Sequence, residues 1–184
     1  MAVDAQLLAQ ALHTPATQDV TRSPIVRAVI VNDPANAGDL VPVLERSDTL
    51  EAGNARRILC LFDARAVPHI LAALAPAPAT ARKQGIEVIW ALLTGEPVRT
   101  ITQTLGTAAA DLDVLLRDRS PLPDDMPQHI ERDFRGRICD LTYLVITQLL
   151  DTKSDPSAFR GLEDPGRDEA IRRLQSRGFG QNIS

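Results

Sequence analysis

Apolar residues recur along most of this chain at steps of three and four, the rhythm of an amphipathic helix rather than of a half-buried strand. The pattern predicts a short helix over 4–12, stopped by Thr14-Pro15, then one over 40–44 with Asp39 as its cap and Pro42 in its first turn. Further helices are predicted over 50–62, 64–74, 79–93, 98–105 and 108–117, with Asp63 placed to cap the second of these. One stretch is ambiguous, because Ile25, Val26, Val29, Ile30 and Val31 form a β-branched run. Their spacing also fits one helix face, and Pro24 suits a first helical turn, so helix is the preferred reading.

The segment 86–93 is apolar nearly all round, which predicts a helix enclosed by neighbours, with Trp90 and Leu92 counted in the core. After the loop around Ser120-Pro121-Leu122-Pro123, the positions Ile130, Phe134, Ile138, Leu141, Val145 and Leu149 predict the longest helix, about 127–150. Residues 1–152 thus read as a single helical domain. Residues 153–184 are polar, and their short helix offers only Ala170, Ile171 and Leu174 to a core, so this end is expected to move freely.

Composition agrees with the helical reading. The 24 Ala and 23 Leu far outnumber the 4 Phe, 1 Tyr and 1 Trp, a balance that favours helix over sheet. A formal charge of −4 argues against a chain devoted to phosphate backbones, whose affinity comes from clustered Lys and Arg. Two cysteines, Cys60 and Cys139, are too few for a disulfide framework, and both fall in apolar helical stretches. They are read as buried free thiols in a reducing compartment. The apolar runs stay below the ~18 residues of a membrane span and no leader-type start is evident, so a cytoplasmic protein without a membrane partner is expected.

Two stretches align without gaps at an offset of 26 residues: Val41-Pro42-Val43-Leu44 over Val67-Pro68-His69-Ile70, and Ala55-Arg56-Arg57 over Ala81-Arg82-Lys83. Each copy is a short helix with an early proline, a break, and a second helix opening on Ala and two basic residues. This pattern, over residues 39–94, resembles the HEAT and armadillo class of α-solenoid repeats. The resemblance implies an all-α fold of stacked helical hairpins, a short solenoid with flanking helices as caps. An ordinary helical bundle in which two hairpins align by chance is the other reading.

Residues suited to chemistry are sparse. His13, His69 and His129 have no metal-type spacing, and His129-Ile130-Glu131 lacks the downstream Pro-Cys-x-x-Cys that a zinc deaminase needs. His69 reads as a half-buried packing residue. Neither cysteine has a histidine beside it, and the one Gly-x-Gly, at Gly178, follows no strand. No cofactor, metal or catalytic residue is assigned. Stacked repeats would instead place Arg56, Arg57, Arg82 and Lys83 in a positive stripe on consecutive second helices, against a plainer reading as a solvated face paired with Glu45, Glu51 or Glu87. The expected function is a non-enzymatic interaction or adaptor module that binds another protein, with an inhibitor or immunity-type protein as one form. A phosphate-backbone binder using the stripe is the first alternative, and a helical-bundle enzyme the second.

Overall fold

A computed structural model describes residues 5–46, 48–123, 136–151 and 155–177, and contains no β-strand among them. The α-helices are α1 (Ala5–Leu12), α2 (Asn36–Leu40), α3 (Leu50–Leu59), α4 (Val67–Leu74), α5 (Ala79–Leu93), α6 (Val98–Thr107), α7 (Ala109–Arg117), α8 (Ile138–Leu150), α9 (Pro156–Arg160) and α10 (Asp164–Arg177). Short 3-10 turns stand at Val20–Arg22, Val41–Glu45 and Ala64–Ala66. The ambiguous β-branched run is helical, but as a π-helix, Val26–Ile30, closed by the Val31 N–H on the Val26 carbonyl at 2.9 Å.

The two aligned copies share their entry and differ in how they continue. In the first, the helix expected over 40–44 is already under way as α2, and Pro42 converts it to a 3-10 turn because proline has no N–H for the i−4 carbonyl. In the second, Asp63 caps the Ala64–Ala66 turn by accepting from the Arg65 N–H at 2.9 Å, and Pro68 falls harmlessly in the first turn of α4. Thr49 caps α3 by accepting from the Ala52 N–H at 3.2 Å. The Asn54 amide then donates to the Leu12 and Thr14 carbonyls, each at 2.8 Å, and fastens the end of α1 to α3.

The helices lie in two files. α2, α4 and α6 are neighbours in one, and α3, α5 and α8 in the other. α5 is enclosed, as its apolar run predicts: it packs on the Val41–Glu45 turn, α3, α4 and α8. Its approach to α4 is so close that a Cβ on Gly85 would stand 2.4 Å from Leu74 Cδ2, which makes glycine a packing requirement there. Two core assignments are corrected. Trp90 lies outside the core, and Leu92 is only partly buried, whereas Leu93 and Ile138 are fully buried.

The long helix expected over 127–150 begins, in its described part, at Ile138. Residues 124–135, with Ile130 and Phe134, lie outside the described residues. Gly136 and Arg137 stand outside the helix: Arg137 is extended (φ −107°, ψ 166°) and gives its N–H to Asp140 Oδ2 at 2.9 Å. The Leu122 N–H bonds the Gly136 carbonyl and the Ile138 N–H bonds the Ser120 carbonyl, so 120–122 and 136–138 run side by side. α9 is seated by Phe159, stacked on Tyr143 with ring centroids 4.3 Å apart, and α10 is seated by Ile171 and Leu174. Among the described residues no helix is long and apolar enough to cross a membrane.

Candidate functional site

The four basic residues singled out by the repeat fall at different places on their helices, Arg56 and Arg57 in the last turn of α3 and Arg82 and Lys83 at the start of α5. Arg56, on α3, donates to Glu87 of α5 at 3.1 Å, the partner expected of a solvated pair. Arg82, on α5, reaches Asp118 at 2.6 Å and also donates to the Leu74 and Ala75 carbonyls at the end of α4. Burial pushes the Asp118 carboxyl up, but hydrogen bonds from Ser120 and the Arg82 guanidinium outweigh it and hold the group below its ordinary value. Both arginines therefore tie one hairpin to the next. Lys83 is 3% exposed and donates from Nζ to the Pro123 carbonyl at 3.3 Å, because the 120–123 loop lies over this part of α5. Arg57 is the exposed member. The four do not form one exposed stripe, since Lys83 is buried and Arg56 and Arg82 are engaged with Glu87 and Asp118.

Cys60 is exposed at the C-cap of α3, contrary to expectation, because the helix stops at Leu59 and turns the thiol outward. Cys139 is buried, and burial together with the charge of Asp140 pushes its thiol up to about 11. His69 is exposed rather than half-buried, and His13 is exposed beside Glu51 at 3.5 Å. His129 lies outside the described residues. No group of three His, Cys, Asp or Glu able to hold a metal occurs among the described residues.

An open cleft of about 370 Å³ adjoins the π-helix, with Gln10, Thr14, Gln18, Asp19, Arg22 and Ser23 on its walls. Its carboxylate, Asp19, is already engaged by the Thr21 hydroxyl at 2.6 Å and by Arg22 at 3.3 Å. The cleft therefore presents hydroxyls and amides rather than a free acid or base.

The site with the clearest physical signature is the corner between α5 and α6. Trp90, the single tryptophan of the chain, is 44% exposed at the end of an otherwise enclosed helix, and Val98, at the start of α6, is 53% exposed. The corner joining them is firmly built. The Thr94 N–H and hydroxyl both donate to the Trp90 carbonyl, at 2.9 and 2.6 Å. Gly95 then takes φ +91°, a left-handed conformation that favours glycine, and the Glu96 N–H returns to the Leu93 carbonyl at 3.1 Å. Pro97 starts α6 by accepting from the Ile101 N–H at 3.1 Å. Burial of Leu93 and Ile101 beneath the corner fixes which faces of α5 and α6 point outward. Sequence reasoning missed this site because Ile86, Val88, Ile89, Trp90, Leu92 and Leu93 leave the helix without a polar face to set its phase.

Compared with protein-family models, curated proteins and solved structures, the chain matches none. What the structure shows is an all-helical chain of packed helices among the described residues.

Proposed function

We propose that this chain is a non-enzymatic, protein-binding helical module whose partner seats on the α5–α6 corner, with Trp90 as the anchor and Val98 as a second exposed apolar residue. The observation that carries this reading is the exposure of Trp90 on a rigid corner. A large aromatic ring held outward by a rigid backbone is the kind of group that dominates protein interfaces, because its burial on binding costs little conformational entropy. The two files of helices support the finer reading as a short α-solenoid of the HEAT or armadillo kind, with α2–α3 and α4–α5 as the duplicated hairpins and α1 and α8 flanking them. An inhibitor or immunity-type protein is one form that such a module takes. The phosphate-backbone reading draws less support, since Arg82 and Lys83 are engaged inside the fold and Arg56 is paired.

The test is affinity capture from lysate of the source organism with the full chain, a Trp90→Glu variant and an Arg57→Glu variant, each first confirmed to be helical by circular dichroism. The expected result is a protein retained near stoichiometrically by wild type and Arg57→Glu and lost with Trp90→Glu. An unchanged set of captured proteins would overturn the assignment of the surface. Nuclease-sensitive material lost with Arg57→Glu would overturn the protein-binding reading itself.

A further inference from the structure

α10 meets the rest of the chain through an unusual interface. Only Ile171 and Leu174 of its residues are buried, against nine buried residues in α8. The remaining ties are polar. Asp168 bridges Arg119 and Arg137, each at 2.9 Å, Arg167 approaches Asp140 at 3.5 Å, and Gln175 donates to Asp113 at 2.6 Å. Along the helix runs an open cavity of about 190 Å³, with Asp168, Ile171, Arg172 and Gln175 on one side and Leu116, Arg117, Arg119 and Cys139 on the other.

Each feature makes the interface easy to part. Ion pairs removed from water contribute little net attraction, because the charges regain their hydration once separated. The cavity withholds the close packing that apolar contacts need. The turn ahead of α10, at Gly161, Leu162 and Glu163, carries no buried side chain, while α9 before it is pinned by the Phe159–Tyr143 stack. A natural hinge therefore lies between an anchored element and a loosely held one.

We propose that α10 is a strap that lifts as a unit about the Gly161–Glu163 turn while the rest of the fold stays intact, uncovering the face of Leu116 and Cys139 and freeing the guanidinium of Arg119, while Arg137 keeps its bonds to Asp140. Such sub-global openings draw on the least apolar interfaces of a protein. The opened face combines an apolar floor with cationic edges.

Cys139 supplies the readout, because it is 2% exposed and lies under α10. In a full-length Cys60→Ser background, labelling by a small thiol reagent is followed at increasing denaturant, beside hydrogen exchange of the amides of α10 and α5. Cys139 is expected to label in native buffer at a rate insensitive to low denaturant, with α10 exchanging well ahead of α5. Asp168→Asn, which removes the bridge between strap and body, is expected to raise the labelling rate by about tenfold or more. Glu169→Gln, whose partners Arg172 and Arg173 lie within α10, is expected to leave it unchanged. The strap is overturned if Cys139 labels only in step with global unfolding, or at once like an exposed thiol, or equally in the Asp168 and Glu169 variants.

Discussion

Arg137→Ala is expected to lower the stability of the folded chain by about 3–5 kcal/mol, the range for removing one partner from a buried ion pair. Arg137 holds Asp140 through Nε and Nη2, at 3.1 and 2.9 Å, and the Asp140 side chain is 0% exposed. The variant leaves the buried carboxylate with only the backbone N–H at position 137 and the more distant Arg167. Arg137→Lys is expected to rescue little, because an ammonium lacks the fork that engages both carboxylate oxygens. Denaturant midpoints at unchanged slope give the cost, and a loss below about 1 kcal/mol would contradict the account.

The same network fixes a pH dependence. Burial alone would raise the Asp140 carboxyl, but the Arg137 hydrogen bonds and the charges of Arg137 and Arg167 hold it below its ordinary value of 3.8. A group depressed in the folded state contributes stability that is fully present above its unfolded value and lost as pH falls through the folded one. Wild type therefore loses this contribution below pH 3.8. In Arg137→Ala the side-chain hydrogen bonds and the charge of Arg137 are gone while burial remains, so the gap between the two proteins narrows on acidification.

Leu93→Ala and Ile138→Ala are each expected to cost roughly 2–5 kcal/mol, as for other large aliphatic side chains cut back in a closed core. The sequence alone assigned that cost to Leu92 as well as Ile138. Since Leu92 is only partly buried, Leu92→Ala is expected to cost half as much as Leu93→Ala or less, in proportion to the apolar area removed from water. Thermal or denaturant unfolding of the three variants decides the order, and a larger loss at Leu92 than at Leu93 would invert the phase assigned to α5.

What the sequence conveyed was local. Prolines 42 and 68, Asp63 and the apolar spacing of α3, α4 and α5 act within a few residues, so they marked the helices and the hairpin pattern. What it withheld depends on distant partners. Aligned positions in the two copies, Arg57 and Lys83, end up exposed and buried because the 120–123 loop, distant in sequence, lies over Lys83. The break before α8 had a faint signal in Gly136 and in Asp140 three residues after Arg137, a capping arrangement that the steps from Ile130 through Ile138 obscured. The docking of α10 was hidden for a similar reason. Its seat is built mostly from charged pairs, which a search for apolar periodicity passes over.

The central claim is that the one tryptophan of this chain stands outside its core, on a corner available to a partner. Intrinsic fluorescence of the folded protein tests it directly, because every tryptophan photon comes from Trp90. The account predicts red-shifted emission that acrylamide quenches nearly as efficiently as in the denatured chain. Blue-shifted emission resistant to the quencher would place Trp90 in the core and remove the basis for the proposed interface.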